Sequence, residues 1–478
     1  MSKKTILAGD ENMKKVIVVG GGITGLATAY YLHKEAKEKS IPLEIKLIEA
    51  SNRLGGVIET VHKNGCVIEK GPDSIIARKK SGLELIEEMG LKDKVISNTA
   101  GKSYILVKGK LHTMPEGSFM GIPTQVTPFA FSGLFSPMGK IRAAGDFILP
   151  KGKPQDDQSL GEFFRRRLGD EVVENLIEPL LAGIYAGNID KLSLMSLFPM
   201  FYQVEQQHRS LVFGLKKTMP APPKTKVKVP GKKGMFISLS TGLEEIVKQL
   251  EIRLGDMIVK GTPVSKIEKN GDSYLVKLSN GVVEEADTVV VTSDHFNAQK
   301  MLSQYSFMDY FKEMPSTSVA NVAMAFSKSA IKQDIDGTGF VVSRNNDHRI
   351  TACTWTHKKW PGSCPDDMAL LRSYVGKPSD EEVVNLSDEE IIEIVLKDLN
   401  KTMNITEKPQ FYEVSRWKKS MPQYNVGHKD RMKHVKDSMT KELPGVFLAG
   451  SSFEGLGIPD CIDQGKAAVQ KVLKFIAE

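Results

Sequence analysis

Short apolar runs that end at glycines or turns alternate along this chain with stretches of helical periodicity. Val16–Val19 is a continuous apolar run that ends directly at Gly20, and Leu43–Ile48 is a second run with apolar residues in alternation. Runs of this length predict buried β-strands. The residues that follow Gly25 predict a helix between them, so the N-terminal part indicates a strand–helix–strand unit.

Three further patterns extend this picture through the middle of the chain. Residues 83–213 are predicted to be mostly helical, and helical spacing is clearest at Phe164, Leu168, Val172, Val173, Leu176 and Ile177. Between Pro263 and Thr292, the dipeptides Asn270-Gly271 and Asn280-Gly281 separate β-rich runs and predict hairpins. Residues 300–430 combine strand patterns with one acidic helix near 387–403.

The C-terminal part repeats the order of strand, glycine-rich turn and helix. Val446–Ala449 reads as a short buried strand, and the residues from Gly450 to Pro459 form a glycine-rich turn. Asp460 then begins an apolar-periodic helix that runs to Ile476, with Pro459 ahead of it as an N-terminal signal.

Composition bounds the class of protein. With 478 residues, of which 41% are hydrophobic, the chain is expected to form two or three domains. No apolar run approaches the length of about 18 residues that a bilayer span requires. The four cysteines (Cys66, Cys353, Cys364 and Cys461) are widely spaced and the histidines show no ligand spacing, which favours a reduced cytoplasm and predicts no metal site.

The net charge of +7 has a local origin. The stretch 216–233 holds seven lysines, several prolines and no acid, and without it the chain is neutral. It predicts an extended, solvated loop. A patch that attracts anionic lipid or a polycarboxylate substrate is the alternative. Aromatic residues are not interleaved with the lysines, so nucleic acid is not an expected partner.

The first glycine turn carries the chemistry of a dinucleotide site. Gly20, Gly22 and Gly25 form the pattern that allows a tight turn, a close approach of pyrophosphate and close helix packing, and Glu49 follows 24 residues after Gly25. Glu49 is placed to accept hydrogen bonds from ribose hydroxyls. Phosphate would lie at the N-terminus of the helix, where free amides and the helix dipole favour an anion.

A second glycine pair and the C-terminal helix favour a flavin dinucleotide. Gly55-Gly56 would let the backbone pass close to the phosphates again, and Arg53 could supply charge. The N-terminus of the C-terminal helix would suit the pyrimidine edge of the isoalloxazine ring, which gains negative charge on reduction. An ordinary surface turn and a capped helix without a ligand stay open as the alternatives.

Five longer strings resemble known proteins over nearly the whole chain. They are Glu69-Lys70-Gly71-Pro72-Asp73-Ser74, residues 159–167, residues 178–187, Pro422-Gln423-Tyr424 and residues 454–461. They resemble the flavin-dependent amine oxidase superfamily and, within it, the oxygen-dependent porphyrinogen oxidases, in particular the Gram-positive coproporphyrinogen III oxidase branch.

The resemblance implies an α/β fold with a Rossmann-type FAD-binding domain, an α+β substrate domain and a mainly helical inserted domain. The division expected is an FAD-binding domain in three parts (14–82, 234–299 and 431–478), a helical domain (83–213), a basic Pro-rich loop (214–233) and a substrate domain (300–430). The helical domain is membrane-facing or partner-facing in this expectation. Within it, the apolar stretch 119–149 fits equally a buried irregular segment.

The activity implied is haem biosynthesis chemistry: oxidation of coproporphyrinogen III to coproporphyrin III in three two-electron steps, with FAD as cofactor, O2 as acceptor and H2O2 as by-product. Protoporphyrinogen IX oxidation, another flavin oxidase reaction and a flavoprotein without turnover stay open. A transient contact with a ferrochelatase and a peripheral contact with the inner face of the membrane are further expectations.

The resemblance also implies site residues. Those expected at the cofactor are Gly20, Gly21, Gly22, Ile23, Thr24, Gly25, Glu49, Ala50, Arg53, Gly55, Gly56, Val57, Gly71, Pro72, Asp73, Ser74, Val264, Trp417, Gly457, Ile458 and Pro459. Those expected at the substrate are Lys70, Ile184, Arg372 and Tyr374, with Lys70 as the partner of a propionate. The alternatives without a ligand are that Lys70 is a surface lysine, that Ile184 belongs to the core and that Trp417 is a structural tryptophan. No catalytic residue is predicted, because hydride passes directly to flavin N5.

One position departs from the family pattern. The family often reads Thr-x-Pro after the third long strand, whereas this chain reads Thr292-Ser293-Asp294. Backbone contacts to the cofactor at this point are therefore in doubt. A catalytic pair of Asp294 and His295 is rejected, because neighbours at a strand end point in opposite directions.

Overall fold

A computed structural model describes residues 13–99, 101–218, 234–344 and 346–478 of the chain. Most of the predicted basic loop, from 219 to 233, lies outside the described residues, so the expectation for it is not addressed by the fold. Within the described ranges, no helix is both long enough and apolar enough to cross a bilayer.

A parallel five-stranded sheet forms the dinucleotide part. Its strands, in spatial order, are Ile258–Val259, Leu43–Ile48, Lys14–Val19, Thr288–Val291 and Val446–Leu448. The three strands predicted at 16–19, 43–48 and 446–449 are confirmed. One face of the sheet is covered by the helices Ile23–Glu38, Lys80–Glu88, Glu244–Leu254 and Ile458–Ala477.

The opposite face packs against an antiparallel sheet and a second set of helices. The sheet consists of Val264–Asn270, Ser273–Leu278 and Val283–Ala286, and it confirms both predicted hairpins. The helices are His295–Met301, Tyr310–Glu313 and His428–Glu442. Tyr274 and Val276 of the middle strand are fully buried against the parallel sheet.

A seven-stranded sheet forms the second layer. In spatial order its strands are Phe411–Pro422, Ser316–Ser327, Met368–Val375, Ile350–Trp355, Gly339–Val342, Ser103–Val107 and Lys110–Thr113. The helix Asp388–Met403 covers one face with Ile391, Val395 and Leu399 and begins at a capping box of Ser387 and Glu390. This confirms the predicted acidic helix.

Two strands of this sheet correct the expectation that 83–213 is mostly helical. Ser103–Val107 is an apolar run, and it is joined to Lys110–Thr113 by Lys108 and Gly109, which have φ of +48° and +74°. Two positive φ values in succession make a tight hairpin turn. The Lys-Gly pair between two short apolar runs was the sequence signal for this hairpin.

The inserted region is helical from residue 126 onward. Its helices are Val126–Ala130, Pro137–Ala144, Leu160–Leu168, Asp170–Val172, Glu178–Tyr185, Leu194–Leu197, Pro199–His208 and Leu211–Thr218, with a π-helical turn at Val173–Ile177. The six residues predicted from helical spacing, from Phe164 to Ile177, are all fully buried in its core.

Short elements connect these layers. The small strands are Thr60–Lys63 with Cys66–Glu69, Ile75–Ile76 with Phe236–Leu239 and Val95–Ser97, and Ser118–Phe119 with Ile122–Pro123. Short helices are Thr356–Lys359 and the 3-10 turns at 92–94, 145–147, 255–257, 306–308, 328–330 and 381–385. The predicted domain boundaries at 82, 213, 299 and 430 fall inside helices. Leu85 and Ile86, for example, belong to the core of the parallel sheet.

Candidate functional site

The first glycine turn has three different environments at its three glycines. A Cβ at Gly20 would lie 2.9 Å from Thr292 Oγ1, and this residue has φ of +109°. A Cβ at Gly25 would lie 1.9 Å from the Gly20 carbonyl oxygen, whereas a Cβ at Gly22 would meet nothing within 4 Å. The turn and the helix packing therefore require Gly20 and Gly25, and the open space above Gly22 is where a ligand's phosphate fits.

The helix that begins at Ile23 offers its N-terminus to the same space. Its N-cap is Gly22, which provides no capping side chain, and its first turn contains no acid. The first amides of a helix have no intrahelical partner, so Ile23, Thr24 and Gly25 can donate to an anion. Neither a capping oxygen nor an acidic side chain competes for them.

Glu49 lies directly beside this turn. Its Oε2 accepts a hydrogen bond from Gly21 N at 2.6 Å, and its Oε1 accepts one from Ser51 N at 2.8 Å. The segment that leads to Val264 runs alongside, because Thr262 N donates to the Glu49 carbonyl oxygen at 3.1 Å. Glu49 and the segment before Val264, both predicted at the cofactor, are thus brought together, and Ala50 is exposed next to them.

The second glycine turn contacts the first through backbone alone. Gly55 N donates to the Gly21 carbonyl oxygen at 2.8 Å, and Gly55 and Gly56 have φ of +96° and +58°. A Cβ at Gly56 would lie 3.4 Å from Gly22 Cα. Val57, which follows, is half-exposed. Two turns without side chains therefore face one space, as a dinucleotide in an extended pose requires.

Arg53, whose contact with the phosphates stays a prediction, bonds to backbone carbonyls of the second turn. Its Nη1 donates to the carbonyl oxygens of Leu54 at 2.8 Å and Ile58 at 2.9 Å, and its Nη2 donates to the Gly56 carbonyl. The guanidinium therefore holds the shape of the second turn through its carbonyls, and the turn in turn faces the cofactor space.

The segment Glu69–Ser74 passes along the second turn. A Cβ at Gly71 would lie 1.8 Å from the Val57 carbonyl oxygen, so only glycine fits there. After Pro72, Asp73 Oδ2 lies 2.8 Å from Lys359 Nζ and 3.3 Å from Arg372 Nη1, while Asp73 Oδ1 accepts from Ser74 Oγ at 2.8 Å. The predicted flavin-flanking residues are therefore fixed by charges from the second layer.

Lys359 and Arg372 keep the Asp73 carboxyl ionised. Burial by itself would raise the pKa of the Asp73 carboxyl, but the cations of Lys359 and Arg372 outweigh it and hold that pKa well below its usual range. Asp73 is thus ionised at neutral pH and serves as an anchor, since a base must be free to bind and release a proton.

Glu69 is the titratable group of this segment. It is buried, and its carboxylate accepts hydrogen bonds from Leu243 N at 2.7 Å and from Thr60 Oγ1 at 2.9 Å. Burial raises the pKa of Glu69 to about 7, although these two hydrogen bonds and the Arg372 cation oppose the shift. This carboxyl therefore changes its charge near neutral pH.

We expect the stability of the protein to fall as this carboxyl ionises. With the pKa raised from 4.5 to about 7, the folded state keeps a proton that the unfolded state loses, so the contribution is complete below pH 4.5 and is lost as pH rises through 7. Glu69→Gln should remove this pH dependence, which lowers the free energy of unfolding by up to about 3 kcal/mol. Melting temperatures of both proteins between pH 5 and 8 would measure it. Parallel curves would contradict the shift, and exposed Glu251→Gln is the control.

Lys70 emerges from the middle of this segment. Its Nζ lies 2.6 Å from Glu59 Oε1 and 4.0 Å from Glu413 Oε1, and its side chain is 21% exposed. The indole Nε1 of Trp417 donates to the Lys70 carbonyl oxygen at 2.7 Å. The side chain of Trp417, which is predicted at the cofactor, is therefore hydrogen-bonded to the main chain of Lys70, which is predicted at the substrate.

Arg372, which is expected at the substrate, is shielded from solvent. It is fully buried, donates from Nη2 to the Gly71 carbonyl oxygen at 2.7 Å, and lies with its guanidinium carbon 5.5 Å from the Tyr374 ring centroid. The reason is that its strand is third in a seven-stranded sheet, where this face is covered by the Glu69–Ser74 segment. Tyr374 stacks on the same guanidinium.

Ile184 lies apart from this cluster. It is 47% exposed near the end of the helix Glu178–Tyr185, and no described contact links it to Lys70 or Trp417. Its neighbour Tyr185 is connected to the second layer, because the Tyr185 carbonyl oxygen accepts from Gln423 Nε2 at 2.8 Å.

The C-terminal turn brings the third glycine-rich segment to the site. The helix begins at Ile458, two residues before the predicted start, so Pro459 lies in its first turn and Gly457 is its N-cap. A Cβ at Gly450 would lie 3.6 Å from Thr24 Oγ1, and a Cβ at Gly465 would lie 3.0 Å from the Thr24 carbonyl oxygen. The C-terminal helix therefore packs directly on the helix that begins at the first glycine turn.

Asp294 and His295 have separate structural roles, as the rejection of a catalytic pair requires. Asp294 is an N-cap whose carboxylate accepts from Asn297 N at 3.0 Å. His295 is buried between Ser452 Oγ at 3.2 Å and the Met314 carbonyl oxygen at 3.0 Å. Both residues lie at the start of a helix, whereas the sequence predicts them at the end of a strand. Burial lowers the pKa of His295, which favours its neutral form.

Three residues of the site were missed by sequence reasoning. Thr292 Oγ1 lies 3.0 Å from the carbonyl oxygens of both Val19 and Gly20, Asn321 binds the Glu69–Ser74 segment, and Lys359 holds Asp73. Asn321 and Lys359 belong to no motif, and Thr292 was noted only as the start of the Thr-x-Pro pattern; each of the three acts across a sequence separation of more than two hundred residues. Within the described ranges, no cluster of three or more His, Cys, Asp or Glu side chains could hold a metal ion.

Comparison with known proteins agrees with this geometry. Residues 23–473 match the family model described as flavin-containing amine oxidoreductase. The chain is 55% identical to the coproporphyrinogen III oxidase of Bacillus subtilis, over 98% of this chain and 99% of that protein. It is 43% identical to the coproporphyrinogen III oxidase of Staphylococcus aureus, over 96% of this chain and 99% of that protein.

A solved structure extends the similarity to the fold. The crystal structure of a candidate protoporphyrinogen oxidase from Exiguobacterium sp. 255-15 is similar with a TM-score of 0.85 and 38% identity, over 96% of this chain and 98% of that one. The similarity in fold therefore extends over nearly the whole of both chains.

Proposed function

The chain belongs to the family of flavin-containing amine oxidoreductases, and we propose that within this family it is an oxygen-dependent coproporphyrinogen III oxidase with FAD as its cofactor. The observation that carries the proposal is the 55% identity to the Bacillus subtilis enzyme of that name along 98% of the chain. Its product would be coproporphyrin III, made in three two-electron steps that turn three O2 into three H2O2.

The residues of the glycine turns fit FAD. Gly22 and the amides of Ile23 and Thr24 would hold the pyrophosphate, and Glu49 would accept hydrogen bonds from the adenosine ribose in place of its bonds to Gly21 and Ser51. The N-terminus at Ile458 would face the pyrimidine edge. When bound, FAD accepts two electrons and a proton from the substrate and returns them to oxygen.

The protein's part in the reaction is position and electrostatics. The C–H bonds of a porphyrinogen meso carbon are activated by two flanking pyrroles, so no strong base is required at that carbon. The nearby Asp73 fits this view, because it is held ionised between two cations. Holding the macrocycle in a reactive orientation is then the main contribution of the chain.

A direct assay tests the proposal. Purified, FAD-loaded protein should produce porphyrin fluorescence from coproporphyrinogen III, with a higher kcat/KM than from protoporphyrinogen IX. Anaerobic mixing should bleach the flavin, and oxygen should restore its colour. A preference for protoporphyrinogen IX would move the substrate assignment to that compound, and a flavin that stays oxidised with both would reject the oxidase function.

Lys70 is the proposed partner of a substrate propionate. Lys70→Ala should raise KM for coproporphyrinogen III by about tenfold or more, because a charge-assisted hydrogen bond to carboxylate contributes about 1.5–3 kcal/mol. Glu59→Gln should act in the opposite direction and lower KM, since Glu59 lies 2.6 Å from the ammonium and competes for it. Steady-state kinetics with porphyrinogens of four and two propionates would measure both effects.

The control and the contradicting result are simple. Lys92→Ala removes an exposed lysine that is paired with Glu87 and should change neither constant. If Lys70→Ala impaired both porphyrinogens equally, or Glu59→Gln raised KM, then Lys70 would hold the local structure and not the propionate.

We also propose that the helical insert contacts an anionic membrane surface on the cytoplasmic side. The support is the exposure of four apolar side chains of the insert, Phe131, Met138, Ile141 and Ile148, which are 86%, 71%, 66% and 78% exposed. Lysines and arginines accompany them in sequence, namely Lys140, Arg142, Lys151 and Lys153. The stretch 119–149 is therefore not wholly buried, since only residues such as Phe129, Leu134 and Phe135 pack inward.

Sedimentation with vesicles would test this contact. The protein should bind vesicles that contain anionic lipid and should lose binding when Phe131 and Ile148 are replaced by serine. Equal recovery with neutral and anionic vesicles, or none with either, would contradict it. A transient contact with a ferrochelatase, which would insert metal into the product, is the alternative use of the same surface.

A further inference from the structure

The carbonyl groups of Glu69, Lys70 and Gly71 are held by three side chains from three adjacent strands. Asn321 Nδ2 lies 2.9 Å from the Glu69 carbonyl oxygen and 3.1 Å from that of Lys70. Trp417 Nε1 lies 2.7 Å from the Lys70 carbonyl oxygen, and Arg372 Nη2 lies 2.7 Å from that of Gly71. We call this set of contacts the carbonyl clamp.

The neighbouring structure explains why the clamp is needed. A cavity of about 110 Å³ lies behind this segment, and Glu69, Asp73 and Arg372 are among its lining residues. Packing against a cavity supplies no contact on that side, so hydrogen bonds must hold the main chain there. Arg372 lines this cavity and is itself fixed by polar contacts, since its Nη1 lies 3.3 Å from Asp73 Oδ2.

The opposite side of the segment faces the proposed reaction site. Gly71 lies against Val57 of the second glycine turn, where a Cβ would be 1.8 Å from the Val57 carbonyl oxygen. Lys70, whose carbonyl oxygen carries two of the four clamp bonds, projects its ammonium toward Glu59. A shift of the segment into the cavity would therefore move both the backbone at the cofactor space and the Lys70 ammonium.

We propose that Asn321, Arg372 and Trp417 are positioning residues of the oxidase reaction, which act through the main chain of Glu69–Gly71. This inference rests on the proposed function. It gives Arg372 and Trp417 a task other than direct contact with substrate or flavin, and it adds Asn321, for which no sequence pattern provided a role. Misplacement of a reacting group by about 1 Å lowers rates by orders of magnitude, so hydrogen bonds remote from the substrate can govern turnover.

Trp417→Phe is the sharpest test, because it keeps an aromatic ring and removes the N–H donor, and the accompanying loss of ring volume is shared by a control. Trp355→Phe is the matched control, since Trp355 lies in the same sheet and donates to Met403 Sδ at 3.2 Å, away from the clamp. Both variants should lower the melting temperature slightly. Only Trp417→Phe should alter the visible spectrum of bound flavin and lower kcat by about tenfold, the equivalent of one lost hydrogen bond.

Hydrogen exchange tests the carbonyl clamp independently of the proposed activity. The Lys70 amide, which donates to the Glu59 carbonyl oxygen at 2.9 Å, should exchange about tenfold faster in Trp417→Phe than in Trp355→Phe. Asn321→Leu, which keeps the number and branching of the side-chain heavy atoms and removes the Nδ2 donor of both bonds, should reproduce that increase. Equal exchange in the two tryptophan variants would overturn the proposal. If the protein oxidised no porphyrinogen at all, exchange would still decide on the clamp, and the failure would count against the proposed function alone.

Discussion

Gly22→Ala is expected to leave the fold intact and to weaken FAD binding by about a hundredfold, or about 2.8 kcal/mol. The new methyl group would meet no atom of the protein within 4 Å, and the φ of Gly22, −71°, suits alanine. It would instead occupy the space in which the pyrophosphate approaches the backbone. Overpacking at such a contact costs about 1–3 kcal/mol, and the loss of amide contacts adds to it.

Gly25→Ala should fail in a different way. Its Cβ would lie 1.9 Å from the Gly20 carbonyl oxygen and 2.6 Å from Thr292 Oγ1, so the helix could not pack on the turn. We expect this variant to lose stability even without cofactor. The two neighbouring glycines thus separate a ligand requirement from a packing requirement.

Flavin content and melting temperature measure the contrast. Gly145→Ala is the control, because its Cβ would meet only ordinary contacts of 3.5 Å and 3.7 Å in the helical insert. Titration of apoprotein with FAD, followed by quenching of flavin fluorescence, provides the affinity. A Gly22→Ala protein that binds FAD as tightly as the unchanged chain would contradict the placement of the pyrophosphate.

Arg167→Met is expected to lower the free energy of unfolding by about 3–5 kcal/mol. Arg167 and Asp146 are both fully buried in the helical insert, with Arg167 Nε 2.7 Å from Asp146 Oδ1. Removal of the arginine would leave a buried carboxylate without its cation. Asp146 also accepts from Ser210 Oγ at 2.5 Å and Val212 N at 3.1 Å, so its displacement would disturb the start of the helix Leu211–Thr218.

Arg165→Met provides a matched control two residues away. Arg165 pairs with Asp170 and Asp190 at a side chain that is 25% exposed, where loss of an ion pair costs at most about 1 kcal/mol. Urea denaturation followed by circular dichroism would compare the two variants. Similar losses in both would show that the buried pair contributes no more than a surface pair.

Local patterns in the sequence predicted much of the dinucleotide part. The packing role assigned to Gly25 matches its environment, because its main constraint is the carbonyl oxygen of Gly20 five residues earlier, and the role of Gly22 toward a phosphate stays a prediction. The hairpins at Asn270-Gly271 and Asn280-Gly281 were predictable for the same reason, since turn geometry depends on a few consecutive φ values.

Periodicity was less informative where tertiary context decides the outcome. The strands Ser103–Val107 and Lys110–Thr113 lie in a region that periodicity predicts to be mostly helical. They form the edge of a sheet whose other strands lie more than two hundred residues away. Arg372 is expected at the substrate from its place on a predicted strand, and that pattern does not indicate that it is buried. Its full burial follows from the segment Glu69–Ser74, which covers that face.

The sequence by itself determined the glycine turns, Glu49 at the end of its strand, the buried helical face from Phe164 to Ile177 and the family to which the chain belongs. Only the tertiary structure decided that Asn321, Arg372 and Trp417 meet the carbonyls of Glu69–Gly71, and that Lys70 is paired with Glu59. The physical reason is that turns and helix starts are set by neighbouring dihedral angles, whereas hydrogen bonds between separate layers depend on how whole sheets pack.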